Sequence, residues 1–276
     1  VATVESLSRV RGSVAPPELD GEDPALIQYT SGSTGNPKGV LLTHFNLLSN
    51  IRAIEAAIPL RGDEVVVSWL PLYHDMGLIG AWLGSLYHGM PVTIMSPLTF
   101  LTRPERWLWA MHYHRATISA APNFAYELCA RRVADSSIEG LDLSSVRLLL
   151  NGAEAVSPAT LRRFSAKFKK YGLSPQSFYP VYGLAESSLA VAFPDAREGP
   201  VIDRIRRGEY ERERRAVPAG ERDKNFLKFA CCGKALPGHE IRIVDDEGRP
   251  AGERRIGHLQ FRGPSCMQGY YRNPGA

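Results

Sequence analysis

The strongest constraint on the fold is the alternation of short apolar runs with segments of helical length. Runs of strand length lie at residues 26–30, 64–70, 92–95, 116–120, 146–150 and 177–182. Segments of helical length lie at residues 44–57, 76–88, 104–114, 123–132 and 157–171. Strands that alternate with helices of ten or more residues are typical of a parallel sheet. The sequence therefore predicts an α/β fold, a largely parallel sheet layered with helices.

Local signals mark several helix ends. Thr43 stands where an N-cap is expected, directly before the periodic segment 44–57. Ser157 and Pro158 form a second start signal, with proline in the first helical turn. Gly89 follows an apolar segment and is a residue that commonly ends a helix.

The composition changes after Pro194. Residues 203–224 are dense in Arg and Glu and have almost no periodic apolar face, so we interpret them as a solvated linker or an insertion. Beyond Gly233, strand-like runs at residues 240–244 and 258–262 flank a turn-forming segment. The sequence thus predicts three parts: an α/β core at residues 1–194, a charged insertion or linker at 195–232, and a small β-rich subdomain at 233–276.

A glycine- and hydroxyl-rich segment follows the first apolar run. Glycines permit tight turns whose backbone N–H groups suit anions, and Lys38 adds a mobile positive charge. This set of N–H donors and a lysine suits the binding of a polyphosphate. The pattern is not a Walker loop, because Gly39 follows the lysine. From composition alone, a polar surface loop is an equal alternative. The candidate residues of the segment are Thr30, Ser31, Gly32, Ser33, Thr34 and Gly35.

Two further segments follow predicted strands at the edge where an α/β sheet binds its ligand. Residues 71–77 contain His74 and Asp75, and an isolated His-Asp pair also occurs in metal-dependent phosphohydrolases. That fold is all-helical and needs further histidines at helical spacing, which this sequence lacks. A structural histidine remains an alternative. Residues 151–154 follow another strand, and a plain strand–helix turn is the alternative to a ligand contact there.

A third candidate segment spans residues 179–188. Tyr182 offers a flat ring for stacking on a base, and Glu186 offers a hard oxygen ligand for Mg²⁺. Alone, a glutamate near a helix start is usually explained by the helix dipole. A metal role requires Glu186 and Lys38 to face a common cleft, because one triphosphate must reach both.

Together, these segments occur in an order that resembles the adenylate-forming superfamily, which includes acyl-CoA synthetases, luciferases and peptide-synthetase adenylation domains. The resemblance covers nearly the whole chain from about Leu19. It is closest to fatty acyl-AMP ligases and long-chain fatty acyl-CoA ligases, because of residues 121–126 and the charged stretch after Pro194. Weaker matches occur at residues 232–238, 257–263 and 269–271, where the glycines are interpreted as structural.

The resemblance implies activation of a fatty acid by ATP and Mg²⁺ to an acyl-adenylate, with later transfer to coenzyme A or to the phosphopantetheine thiol of an acyl carrier protein. It implies catalytic roles for Lys38, His74 and Glu186, with Glu186 as the metal ligand. Substrate contacts are implied for His74, Asn123 and Phe124. Nucleotide contacts are implied for the loop residues named above and for Asn151, Gly152, Ala153, Glu154, Tyr182 and Gly183.

The family pattern continues beyond what this sequence contains. The chain begins at Val1 and stops at Ala276, so we expect an excerpt of a longer protein. A ribose-binding aspartate, a hinge and a carboxy-terminal domain with a catalytic lysine are missing, as is an amino-terminal portion of the large domain. We therefore expect a catalytically incomplete core. The alternative is a non-catalytic nucleotide- or acyl-binding module; a kinase-like transferase is disfavoured, because neither a Walker loop nor a catalytic-loop signature occurs.

Composition limits the remaining possibilities. The chain of 276 residues has a formal net charge of +4, which gives no reason to expect a nucleic-acid partner. No apolar run approaches the roughly 18 residues that a membrane span needs, and the first residues carry no secretory signal. Its four cysteines lack metal-site spacing, so reduced thiols and a cytoplasmic location are expected. Basic residues at 162–170 are interpreted as a solvated face or a docking face for an acidic carrier protein.

Overall fold

The computed structural model describes residues 15–30, 37–58, 60–195, 199–273 and 275. Its centre is a five-stranded sheet in which every pair of neighbouring strands is parallel, in the order β4-β3-β5-β6-β7. The strands are β3 (Val66–Ser68), β4 (Val92–Ile94), β5 (Ile118–Ala121), β6 (Leu148–Asn151) and β7 (Phe178–Pro180). The predicted α/β fold with a largely parallel sheet is confirmed.

Helices connect these strands and cover the sheet. A π-helix, Met76–Leu83, continues directly into an α-helix. The α-helices are α1 (His44–Ala57), α2 (Gly84–Tyr87), α3 (Pro97–Thr102), α4 (Glu105–Tyr113), α5 (Asn123–Arg132), α6 (Pro158–Phe168) and α7 (Arg207–Glu213). Of these, α3 and α7 have no counterpart among the predicted helical segments.

The two faces of the sheet pack against different layers. Leu149 belongs to a core with aromatic residues of α4, α5 and α6, whereas Leu148 and Leu150 point to the other face, towards α1. This division follows from the two-residue side-chain period of a strand. Tyr126 packs edge-on against Phe164 at a centroid distance of 5.3 Å. Such pairs contribute about 0.5–1.5 kcal/mol beyond the burial of apolar area.

The predicted start signals of two helices are found as hydrogen bonds. Thr43 and Asn46 form a reciprocal capping box, with distances of 3.1 Å from the Asn46 N–H to the Thr43 hydroxyl and 3.0 Å for the return bond. Ser157 accepts the Thr160 N–H at 3.4 Å, and Pro158 occupies the first turn of α6. Helices α1 and α5 span the predicted residues 44–57 and 123–132.

Small antiparallel sheets surround the central sheet. Strand β1 (Pro24–Thr30) pairs with β2 (Lys38–Thr43), and β2 also pairs with β15 (Gly269–Tyr270). The remaining pairs involve β8 (Tyr182–Gly183), β9 (Ala190–Phe193), β10 (Ile202–Arg206), β11 (Phe226–Ala230), β12 (Lys234–Ala235), β13 (Glu240–Val244) and β14 (His258–Arg262). The pairs are β8 with β9, β9 with β12, β10 with β11, and β13 with β14. The β-rich character predicted for the last part is therefore observed, while the three domain boundaries remain a prediction.

Two segments differ from their sequence interpretation. The run 177–182 leaves the parallel sheet after Pro180, and Tyr182 begins β8 in another sheet, because it pairs with Ala192 of β9. The charged stretch 203–224 contains part of β10 and all of α7 rather than only irregular linker. Its charged side chains form ion pairs with one another on the surface, as between Arg206 and Asp223 at 3.2 Å. Ile205 is buried, and this one apolar contact is not evident in a sequence so rich in charges.

Candidate functional site

A cavity of about 560 Å³ opens at the carboxyl-terminal edge of the parallel sheet. This edge is where open α/β sheets bind ligands. Part of its wall is polar and belongs to the predicted site segments: Thr30, His74, Asp75, Ala153, Tyr182, Gly183 and Glu186. The rest is mainly apolar and lies between α1, the π-helix and the sheet: Ile51, Ile54, Ile58, Leu60, Val66, Ile79, Ile118, Leu150, Leu189 and Phe193. One cavity thus joins a polar entrance to an apolar interior.

The predicted phosphate loop connects β1 to β2. Thr30 is the last residue of β1 and is paired with Lys38, the first residue of β2. Residues Ser31, Gly32, Ser33, Thr34 and Gly35 lie outside the described part of the chain, so their role stays a prediction. The hairpin places both ends of this loop together, and Thr30 lines the cavity.

Lys38 contacts an aromatic ring rather than a carboxylate. Its ammonium nitrogen lies 4.9 Å from the ring centroid of Tyr270, a cation–π distance. Among the residues that the structure describes, no carboxylate forms an ion pair with Lys38. Its positive charge is therefore not neutralised by a described acidic side chain.

Glu186 is held from two directions. It lies in a 3₁₀ turn, Ala185–Ser187, and its backbone carbonyl accepts the Met267 N–H at 2.8 Å. Its Oε1 accepts the Tyr270 hydroxyl, also at 2.8 Å. This hydrogen bond to a carboxylate raises the pKa of Tyr270 to about 12, because it favours the protonated phenol. Lys38 and Glu186 therefore contact the same tyrosine. Glu186 lines the cavity and Lys38 is not among the residues of its wall, so the common cleft that a shared triphosphate requires stays a prediction.

His74 and Asp75 form a hydrogen-bonded pair in the cavity wall. His74 Nδ1 lies 2.7 Å from Asp75 Oδ1, and the same oxygen accepts the Met76 N–H at the start of the π-helix. The hydrogen bond to Asp75 raises the pKa of His74, partial burial opposes the rise, and the charge of Asp75 adds to it. Gly77 fixes this turn, because a Cβ there would lie 2.3 Å from the Pro71 carbonyl oxygen. The imidazole is thus biased towards its cationic form at the cavity.

The segments predicted to contact the base are close together but tightly packed. Gly152 has no room for a side chain, because its Cβ would lie 2.9 Å from Val181 Cγ2. At Gly183 a Cβ would lie 1.9 Å from the Leu189 carbonyl oxygen. Packing within the protein is therefore enough to require glycine at both positions. The close approach of a ligand is not needed to explain them. Ala153 lines the cavity with a positive φ of 64°, a left-handed conformation that is costly for alanine.

The other predicted contact residues lie outside the cavity wall in the part of the chain that the structure describes. Asn151 ends β6 and is fully buried, and neither amide atom has a hydrogen-bond partner among the described residues. The Glu154 carboxylate accepts the Phe124 N–H at 2.6 Å, and Asn123 Oδ1 accepts the Ser157 N–H at 3.0 Å. These two bonds join the starts of α5 and α6. Within the described residues, Asn123, Phe124 and Glu154 are not part of the cavity wall, and their ligand roles stay predictions.

Sequence reasoning missed Tyr270 and Met267. Both lie in or next to the segment 269–271, whose sequence interpretation concerns only its glycine, and no local pattern relates them to Glu186. The available signal was the pair of aromatic residues directly after Gly269.

A divalent cation at Glu186 would need ligands from outside the protein. Among the described residues, no group of three or more His, Cys, Asp or Glu side chains is arranged to hold a metal ion. A single carboxylate combined with phosphate oxygens and waters is the usual arrangement for Mg²⁺. The donor set at Glu186 fits that arrangement and does not fit a metal cage built from protein alone.

Fold and site together define an α/β protein with a ligand cavity at the carboxyl edge of its sheet. The model of the family described as AMP-binding enzyme matches residues 2–271, and the chain belongs to that family. The resemblance inferred from the motifs is therefore confirmed.

Comparisons with individual proteins agree. The chain is 41% identical over 263 residues to the medium-chain-fatty-acid–acyl-carrier-protein ligase TtuA of Teredinibacter turnerae, covering 95% of this chain and 41% of the relative. A structure from a study of fatty acyl-adenylate ligases from E. coli and L. pneumophila superposes with a TM-score of 0.92 and 40% identity, over 96% of this chain and 49% of that one.

The ligand-bound state of one similar protein is also known. A fatty acyl-adenylate ligase from L. pneumophila in complex with acyl adenylate and pyrophosphate superposes with a TM-score of 0.89 and 36% identity, over 94% of this chain and 45% of that one. The present chain therefore spans less than half the length of these three proteins. Within the described residues, no helix has the length and apolar character needed to cross a bilayer.

Proposed function

We propose that this chain is the nucleotide- and acyl-binding core of a ligase that activates a fatty acid with ATP, forming an acyl-adenylate and releasing pyrophosphate. The observation that carries the proposal is the cavity of about 560 Å³, whose polar entrance contains Thr30, His74 and Glu186 and whose interior is apolar. An alkyl chain bearing a carboxylate needs such a combination. The names of TtuA and of the L. pneumophila ligase support the same reaction class.

The chemistry joins two anions, so the site must offset charge and fix geometry. An oxygen of the carboxylate attacks the α-phosphorus of ATP, a new O–P bond forms, and the bond to the pyrophosphate oxygen breaks. Lys38 and the loop that begins after Thr30 are assigned to the β- and γ-phosphates. Mg²⁺, when bound, offsets the charge that grows on the leaving pyrophosphate. Glu186 is assigned as its protein ligand.

The remaining wall residues are assigned to base and carboxylate. Tyr182 is about 40% exposed, so its ring face is available for stacking on adenine. Ala153, with its neighbours Gly152 and Glu154, is assigned to the edge of the base. His74 is assigned to the fatty-acid carboxylate, since Asp75 raises its pKa and the protonated form so favoured attracts a carboxylate.

The apolar interior is assigned to the alkyl chain. Burial of each methylene contributes about 0.8 kcal/mol, so an apolar cavity selects long chains over short ones. We assign the acceptor as the phosphopantetheine thiol of an acyl carrier protein, on the strength of the name of TtuA, with coenzyme A as the second candidate. A cytoplasmic location is supported by the absence of disulfides among the four cysteines, all of which are free.

A binding experiment separates this function from its alternatives. A non-hydrolysable dodecanoyl-adenylate analogue is titrated into the chain by calorimetry, beside free AMP and free dodecanoate. The proposal requires the analogue to bind more tightly than either part, and an affinity equal to that of AMP would refute the acyl assignment.

Turnover is measured separately as fatty-acid-dependent exchange of pyrophosphate into ATP. We expect exchange well below that of a full-length relative, because the chain spans only 41% of TtuA. Binding without any exchange would favour the second candidate function, a nucleotide- and acyl-binding module. Exchange as fast as in a full-length relative would contradict the expected incompleteness.

A further inference from the structure

One short segment holds both the backbone and the side chain of Glu186. The Met267 N–H donates to the Glu186 carbonyl, and the Tyr270 hydroxyl donates to the Glu186 carboxylate, each at 2.8 Å. The position of this carboxylate is therefore set by residues 267–270 as well as by its own turn.

The same segment is fixed to the strand that carries Lys38. The Tyr271 N–H donates to the Gly39 carbonyl at 2.7 Å, and the Gln268 N–H donates to the Leu41 carbonyl at 3.1 Å. Tyr270 itself is paired with Val40 in β2. Its ring then lies against the Lys38 ammonium at 4.9 Å. Strand β15 is thus a rigid connection between the lysine and the carboxylate.

We propose that Tyr270 is a positioning residue that sets the separation of Lys38 and Glu186 and the orientation of the Glu186 carboxylate for a divalent cation. This inference rests on the proposed function, because it assigns Glu186 to Mg²⁺. The hydroxyl occupies Oε1, and no described residue donates a hydrogen bond to Oε2, which is left for the cation. Donors that orient metal-binding carboxylates commonly contribute strongly to metal affinity.

The choice of tyrosine has an electrostatic reason. A cation and a carboxylate close enough to share one triphosphate are attracted to each other, and a direct ion pair would reduce the availability of both. Tyr270 offers a neutral donor to Glu186 and a ring face to Lys38. Each charge is held in place by a weaker contact that a phosphate or a metal ion outcompetes.

Two substitutions separate the two contacts. Tyr270→Phe removes the hydroxyl and keeps the ring, whereas Tyr270→Leu removes both. Tyr271→Phe is the matched control, since this neighbouring ring contacts Arg272 and its backbone bond to Gly39 is unchanged. Mn²⁺ affinity is measured by electron paramagnetic resonance in the presence of a non-hydrolysable ATP analogue, and affinity for the metal-free analogue by calorimetry.

Tyr270→Phe is expected to weaken Mn²⁺ binding about tenfold, the lower end of the usual effect of such donors, with unchanged affinity for the metal-free analogue. Tyr270→Leu is expected to weaken both, because Lys38 also loses its support. Tyr271→Phe is expected to match the wild type in both measurements. Thermal unfolding of each variant checks that it is folded, and Tyr270→Phe decides the question even if Tyr270→Leu does not fold.

Equal or tighter Mn²⁺ binding in Tyr270→Phe would overturn the inference. Glu186→Gln distinguishes this result from a failure of the proposed function. If Glu186→Gln weakens Mn²⁺ binding while Tyr270→Phe does not, the carboxylate binds metal without help from Tyr270. If Glu186→Gln also binds Mn²⁺ as tightly as the wild type does, the assignment of Glu186 as the metal ligand in the proposed function is wrong. The inferred role of Tyr270 is then wrong as well.

Discussion

His74 Nδ1 lies 2.7 Å from Asp75 Oδ1 at the polar entrance of the cavity. The two residues are neighbours in sequence, and Asp75 also accepts the first N–H of the π-helix. The aspartate therefore has two functions: it accepts a hydrogen bond at the start of a helix and favours the protonated form of the imidazole.

The first prediction concerns the pKa of His74. We expect a value above 6.5, the ordinary value, and a fall towards it in Asp75→Asn, since the hydrogen bond from the imidazole to the aspartate is the largest cause of the rise. The asparagine oxygen still accepts the Met76 N–H. The measurement is an NMR titration of the imidazole C–H signals, and an unchanged pKa in Asp75→Asn would contradict the assigned cause.

The same shift gives a pH dependence of stability. A pKa that is higher in the folded than in the unfolded protein means that the folded state binds the proton more tightly. The contribution of this pair is fully present below pH about 6.5 and is lost as the pH rises through the raised pKa of His74. The contribution of the pair makes the free energy of unfolding larger at low pH than at high pH. We expect Asp75→Asn to reduce the size of this pH-dependent contribution, measured by urea denaturation at both pH values.

The second prediction concerns Gly183. Substitution by alanine places a Cβ 1.9 Å from the Leu189 carbonyl oxygen, so the backbone near Glu186 must shift. We expect a loss of about 2–3 kcal/mol in the free energy of unfolding, typical of overpacking. Gly84→Ala is the control, because a helical Cβ there lies 3.4 Å from its nearest neighbour and alanine favours helices. Equal unfolding midpoints for the two variants would refute the packing argument.

The third prediction concerns the backbone of Ala153. Its φ of 64° is readily adopted by glycine and costs an alanine energy. We expect Ala153→Gly to stabilise the protein by about 0.5 kcal/mol, since relief of roughly 1–2 kcal/mol of strain exceeds the added entropy of the unfolded chain. Ala155→Gly, in the same exposed turn but without a positive φ, is expected to lower stability. Urea denaturation of both variants measures the difference, and a loss of stability in Ala153→Gly would contradict it.

The fourth prediction tests the apolar interior of the cavity. Ala120 lies in β5 and lines the cavity, so Ala120→Leu fills part of it. We expect acyl-adenylate analogues with long chains to lose about fourfold in affinity for each methylene that no longer fits, in line with about 0.8 kcal/mol per buried group. An acetyl-adenylate analogue is the control and is expected to bind as it does to the wild type. A uniform loss across chain lengths would place the alkyl chain elsewhere.

Sequence patterns predicted the features that depend on residues close together in the chain. The start of α1 followed from its capping residue and apolar spacing, α5 spans the predicted segment, and the alternation of elements gave the parallel sheet. The segments that contain His74 and Glu186 both contribute to the wall of the cavity, while the roles predicted for these residues stay predictions.

What depends on contacts between distant residues was not predictable. The reason for glycine at position 183 lies in Leu189 across a β-bulge, and the partner of Glu186 lies in a strand near residue 270. The departure of Tyr182 from the parallel sheet likewise depends on pairing with β9. Local patterns carry no information about such pairing, which is decided by the whole fold.

The pairing of β15 with β2 determines when the site can form during synthesis. Strand β2 leaves the ribosome early, but its lysine meets the tyrosine only after residue 271 has emerged. Closing so long a loop is slow compared with the folding of a single helix. The growing polypeptide can therefore build its central sheet first, and the proposed triphosphate site is completed only in a late step that depends on one short strand.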